Sequence, residues 1–201
     1  MKITASSRIL LLLTGLLAAY QIAVGINDFS TLPIIAYSTS FGVLLVAGLL
    51  LLILGFEVLD SPLVVMVSTI IPLSLATGLV WQHLPPYRII YLVFAILGLT
   101  AIVVTRALPF KNKLPLIVLV IVHGIAGLTI FLLPIHLVFS GLVPSGFFLI
   151  SVGGALIGLG GLLLALLRAG RPLLSRETIF RLLPVLLLLM TTAFVAGFAL
   201  A

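Results

Sequence analysis

The side chains able to do chemistry are few. The 201 residues hold three histidines, four acidic residues, ten basic residues and no cysteine. Without cysteine there is no disulfide, no thiolate nucleophile and no cysteine-bound metal or iron–sulfur cluster. His123 is the one ionisable residue near the middle of a long apolar run. An unpaired polar group is costly in an apolar medium, so this imidazole is expected to face protein, on a helical stripe with Val120, Gly127 and Ile130. Two functional chemistries fit it, a proton relay or an axial ligand to a bound haem or pigment. A structural role fits as well, as a neutral imidazole hydrogen-bonded to a carbonyl or a hydroxyl.

A second group is expected to gather at one interface of the apolar layer: Tyr20, Gln21, Asp28, Tyr37, Trp81, Gln82, His83, Tyr87, Arg88, Tyr91 and His136. Tryptophan and tyrosine favour that depth whatever the function, so much of this reads as an aromatic belt. Helical spacing nevertheless sets Gln21 on one face with Thr14, Ala18 and Gly25, and Tyr91 on one face with Tyr87, Ala95 and Gly98. A cavity opening outward and lined by Gln21, His83, Arg88 and Tyr91 is the expected ligand site. His83 and His136 also match in depth, as a bis-histidine haem requires. At the other interface Glu57 and Asp60 lie three apart, and Arg168, Arg171, Arg176 and Arg181 cluster. Salt bridges and anionic lipid headgroups are the expected partners of these arginines. Glu57 and Asp60 have no histidine, nucleophile or metal ligand near them in sequence, so acid–base catalysis is not expected.

The medium that positions these groups is read from composition. Apolar residues make up 63% and charged residues 7% of the chain, with a formal charge of +6. So small a polar complement cannot coat a water-facing surface, and lipid must solvate the exterior. The basic residues fall in short clusters between apolar runs, which gives no continuous face for nucleic acid. A helix crosses the hydrocarbon in about 20 residues. Seven runs qualify, at 9–26, 41–59, 62–81, 89–105, 114–133, 146–167 and 182–200. Breakers separate them: Asn27-Asp28, Asp60-Ser61-Pro62, Pro85-Pro86, Lys111-Asn112-Lys113, Pro134, Pro144-Ser145 and residues 168–181. The apolar patches 32–37 and 137–143 are too short to cross and read as interfacial or re-entrant pieces.

With the N-terminus in the cytoplasm, nine of the ten basic residues fall on the inner side and only Arg88 outside. This asymmetry predicts a cytoplasmic N-terminus, an outer C-terminus and a prokaryotic plasma membrane. Lys2, Arg8 and the following apolar run also fit a secretory signal peptide, but apolar residues continue to Ile26, and a retained first helix is the preferred reading. The whole chain, 1–201, reads as one all-α transmembrane bundle. Seven spans divide as three, one and three, with both triplets in the same sense; Pro62, Ser68 and Thr69 can be set beside Pro184, Met190 and Thr191. Pro72 predicts a kink in span 3, with the Ser68 or Thr69 hydroxyl making up part of the lost hydrogen bonding. In span 6 Ser151, Gly154, Ala155, Gly158, Gly161 and Ala165 form a small-residue face for close helix packing.

The midplane offers little besides His123, Ser and Thr. The function expected is therefore non-catalytic: an accessory subunit of a membrane complex, or a binder of a lipid, quinone or pigment. The competing reading is a small transporter using His123 and the Pro72 kink, with spans 1, 3, 4 and 5 around a polar cavity.

Overall fold

A computed structural model describes residues 3–26, 30–109, 113–168 and 170–201. Lys2, Asn27, Asp28, Lys111 and Asn112 lie outside the described residues, as does the side chain of Asp60. The fold is all-helical, with α1 (Ala5–Val24), α2 (Thr31–Leu54), α3 (Pro62–His83), α4 (Arg88–Ala107), α5 (Leu114–Phe139), α6 (Phe148–Arg168) and α7 (Arg176–Ala199). All seven are long and apolar enough to cross a membrane, which makes the chain an integral membrane protein.

Local chemistry sets the ends. Thr4 caps α1 by accepting from the Ser7 amide at 3.2 Å, and Ser175 caps α7 by accepting from the Thr178 amide at 3.1 Å. Gly25 and Gly55 stop α1 and α2 at φ 72° and 85°, a conformation that other residues reach only under strain. Pro62 occupies the first position of α3, where its missing N–H is no loss.

Three expectations about the spans are corrected. Residues 32–37 are not an interfacial piece; they form the opening of α2, and Pro33 is tolerated because it lies in the first turn. The polar residues between this patch and the span predicted from residue 41 are accommodated within the helix, with Ser40 Oγ donating to the Ile71 carbonyl at 3.0 Å and Tyr37 Oη donating to Gln82 Oε1 at 3.0 Å. Pro134 does not break span 5; it sits inside α5, and residues 137–139 are its last turn. In α3 the Ser68 and Thr69 hydroxyls both donate to the Val65 carbonyl, at 3.1 and 2.7 Å, and so do not serve the carbonyl that Pro72 leaves without its donor.

Six helices close a ring in the order α1, α2, α3, α5, α6, α7, with α7 returning to α1. α4 lies outside it, packed on α3 and α5. Matching α1–α3 to α5–α7 turns the α3–α5 contact into the α7–α1 contact, so the three-one-three division is also the pattern of packing. Leu11, Leu51, Phe56, Leu163, Ile179, Phe180 and Leu183 form one cluster, which brings the start of α1, the end of α2, the end of α6 and the start of α7 to one end of the bundle.

Lipid tails are as apolar as leucine, so helix association in a bilayer rests on close packing at small residues. A Cβ on Gly78 would lie 2.4 Å from the Tyr37 ring, one on Gly153 2.5 Å from the Phe194 ring, and one on Gly154 2.9 Å from Ile130 Cγ2. The small-residue face foreseen in span 6 is correct only in its first turns. Ser151 and Gly154 are buried, whereas Ala155, Gly158, Gly161 and Ala165 are exposed. Gly78→Ala is expected to destabilise the protein by about 1–3 kcal/mol through overpacking, while Gly158→Ala, with nothing within 4 Å of the new methyl, leaves stability nearly unchanged. Thermal unfolding of the two variants side by side in one detergent measures the difference.

Candidate functional site

One end of the ring holds a cavity of about 390 Å³. The ends of α1 and α3, the link between α5 and α6, and the end of α7 build its wall, with Tyr20, Gln21, Gln82, His83, Phe147 and Phe198 among the residues that line it. Gln21 comes from the inward face of α1, which also carries Ser7, Leu11, Thr14 and Ala18, as its spacing indicated. Gln82 and His83 are consecutive, so both reach the mouth only because the last turn of α3 ends there.

Aromatic rings form the floor. Phe198 contacts Tyr37 at a centroid distance of 4.7 Å, Phe41 at 6.2 Å and Phe147 at 6.5 Å. Phe147 in turn meets the His83 imidazole at 5.2 Å, with the ring planes 66° apart. Edge-to-face contacts of this kind fix ring orientation as well as bury area. Tyr37 is 1% exposed, so it belongs to the core beneath the cavity and not to the aromatic belt. Tyr20 and Tyr87, more than half exposed, do match a belt.

Three neutral polar side chains meet here. Gln21 donates through Nε2 to the Gly25 carbonyl at 3.1 Å, and its amide oxygen can only accept. Gln82 accepts through Oε1 from Tyr37, which leaves its amide nitrogen to donate. His83 Nε2 is buried and has no hydrogen-bond partner. The arrangement can therefore donate to and accept from an uncharged polar head, while Val24, Ile26, Val143, Phe147 and Phe198 enclose an apolar body.

Of the four residues expected to line the cavity, the structure brings together Gln21 and His83. Arg88 and Tyr91 are placed elsewhere, because both belong to α4, outside the ring. Arg88 donates through Nε to the Trp81 carbonyl at 2.5 Å, and its guanidinium stands 5.7 Å from the Trp81 ring centroid. Tyr91 Oη donates to Thr129 Oγ1 at 3.3 Å. His136 is exposed on α5 and is not among the residues lining the cavity with His83, so the pair foreseen as haem ligands does not share that site. The residues missed from sequence are Phe147 and Phe198, which read as ordinary apolar span residues.

His123 lies away from this cavity. It is half-buried on α5, and its buried Nδ1 makes no hydrogen bond of normal geometry. Its expected stripe is sided as predicted at Ile130, which is fully buried, but Val120 is 59% exposed. Although α5 runs on to Phe139, His123 stays within a turn of the helix midpoint, on its N-terminal side. At the opposite end of the bundle, Arg168 donates to the Leu59 carbonyl, Arg181 pairs with Glu177 at 2.5 Å, and Arg176 stands 5.2 Å from the Phe180 ring centroid.

The chain matches no family model, no curated protein and no solved structure. The cavity is accordingly interpreted from its own geometry. Since the protein has no cysteine, single replacements report access without background. Gln82→Cys is expected to react with a small aqueous maleimide in the folded protein, and Ala76→Cys, at a position with no exposure, only after unfolding. Mass spectrometry of the labelled chains reads the outcome, and equal labelling of both would remove the open mouth.

Proposed function

We propose that this chain is a non-catalytic membrane protein that holds a neutral amphiphile, of the lipid, quinone or pigment class, with its polar head in the cavity at the ends of α1, α3 and α7. The observation that carries this reading is the meeting of the Gln21 and Gln82 amides and the His83 imidazole in a lining that is otherwise mainly apolar. Among the described residues no charged side chain lines the cavity, which fits an uncharged head over a phosphate or carboxylate.

The packing at mid-depth supports binding over transport. Thr14, Thr69, Thr77 and Thr191 are buried, and each hydroxyl donates to the carbonyl one turn back on its own helix, at 2.7 to 2.9 Å. Hydroxyls committed in this way offer a passing solute little exchange for its hydration. The main neighbours of α1 are α2 and α7, so α1, α3, α4 and α5 do not surround a common space of the kind the transporter reading requires. We place the basic end of the bundle in the cytoplasm of a prokaryotic cell, with the cavity open to the outer side, on the excess of arginine and lysine at that end.

Trp81, the sole tryptophan, immediately precedes two lining residues and serves as a built-in reporter. Titration with a decyl benzoquinone and, separately, with a dibrominated monoacylglycerol is expected to give saturable quenching by at least one of them. His83→Leu with Gln21→Leu removes hydrogen bonds worth about 1.4 kcal/mol or more and should weaken that binding about tenfold. Quenching that rises linearly with either probe, or that the double variant leaves unchanged, would refute the site. In intact cells an impermeant maleimide should label Gln82→Cys and spare Arg171→Cys; the reverse pattern would invert the orientation.

A further inference from the structure

At the end of the bundle opposite the neutral cavity lies a second one, of about 220 Å³, lined by Leu59, Leu164, Leu167, Arg168, Arg176 and Phe180. It opens where the end of α6 and the start of α7 meet the short 3₁₀ segment Phe56–Asp60 that follows α2. We infer that this cavity binds one anionic phospholipid, with its phosphodiester bridging Arg168 and Arg176 and the glycerol and upper acyl carbons against the leucines and Phe180.

Both guanidinium groups are held in place by the fold. Arg168 is anchored by its donation to the Leu59 carbonyl, and Arg176 stands 5.2 Å from the Phe180 ring centroid. Phe180 is itself stacked on Phe56, with centroids 5.2 Å apart and planes 14° from parallel, so the wall beneath Arg176 is rigid. Side chains already ordered lose less freedom on binding, and a planar guanidinium has donors to spare for phosphate oxygens after one bond to a carbonyl. Charge complements the occupant. Among the described side chains Arg8, Arg106, Lys113, Arg168, Arg171, Arg176 and Arg181 lie at this end with the acidic Glu57 and Glu177, and Glu177 is engaged by Arg181. The apolar remainder of the lining distinguishes the site from one for free phosphate, which has no use for leucine and phenylalanine walls. It also distinguishes it from the diffuse attraction of basic residues to an anionic leaflet, which needs no cavity.

The test is native mass spectrometry of the full chain, purified from vesicles of equal parts phosphatidylglycerol and phosphatidylcholine. One phosphatidylglycerol is expected to remain per chain, enriched about tenfold over phosphatidylcholine. Arg168→Gln with Arg176→Gln should abolish the enrichment, whereas Arg171→Gln, on the same connection but outside the cavity, should keep it. Equal retention of the two lipids by the wild-type chain would overturn the proposal, as would loss of the enrichment in Arg171→Gln, which would indicate diffuse attraction. Displacement of the lipid by millimolar inorganic phosphate would reassign the site to a free anion. If the double variant does not fold, the wild-type ratio and the Arg171→Gln result still decide.

Discussion

The seating of Tyr37 on Gly78 ties local sequence to everything above it. In hydrocarbon no hydrophobic force draws one helix to another, so the contact must come from shape. A glycine on α3 lets an aromatic ring of α2 lie against backbone, and the hydroxyl of that ring then donates to Gln82 one turn further along. The same ring packs on Phe198, which brings α7 into the arrangement and completes the aromatic floor. One close approach thus sets the spacing of α2 and α3, the position of the Gln82 amide and the depth of the cavity.

The two ends of the bundle divide polar chemistry between them. One end collects uncharged amides and an imidazole over aromatic rings, with Arg88 held beside them on Trp81; the other collects the remaining arginines over leucines and a stacked phenylalanine pair. Between them the buried hydroxyls of Thr14, Thr69, Thr77 and Thr191 are turned inward upon their own helices, which satisfies them locally. This separation follows from the solvent. Charged groups are tolerated at headgroup depth, and each polar atom placed deeper must be closed off by a partner within reach.

How much of this was legible in the sequence depends on the range of the interaction. Span number and type follow from run length alone, because every backbone group in lipid must be satisfied within its own helix. The inward face of α1, including Gln21, follows from helical spacing. The start of α2 was hidden because residues 37–40 interrupt the apolar run until α3 supplies partners for Tyr37 and Ser40, and Pro134 looks like a breaker until the turns of α5 on both sides hold it. Arg88 and Tyr91 shared the right depth with the cavity yet belong to a helix outside the ring, and depth alone carries no information about angular position. Phe147 and Phe198 had no signal of their own, since an apolar residue in an apolar chain gains meaning only from its neighbours. The glycines were partly readable: the repeat in α6 pointed to a tight contact, but only burial separates Gly153 and Gly154, which carry it, from Gly158 and Gly161, which face outward.

The peripheral helix α4 has a consequence for how such a ring can be assembled from one polypeptide. Three crossings leave a unit's two ends on opposite sides of the membrane, so a second unit in the same sense can be joined to the first only through one additional crossing. α4 makes that traverse from outside the ring and is the least buried of the seven helices. Ile102 and Thr105 are buried against the ring, Gly98 meets Val122, Tyr91 meets Thr129 and Arg88 reaches the Trp81 carbonyl, and most of the remaining side chains of α4 answer to the bilayer. It is therefore the segment of this chain freest to drift while the architecture around it stays fixed.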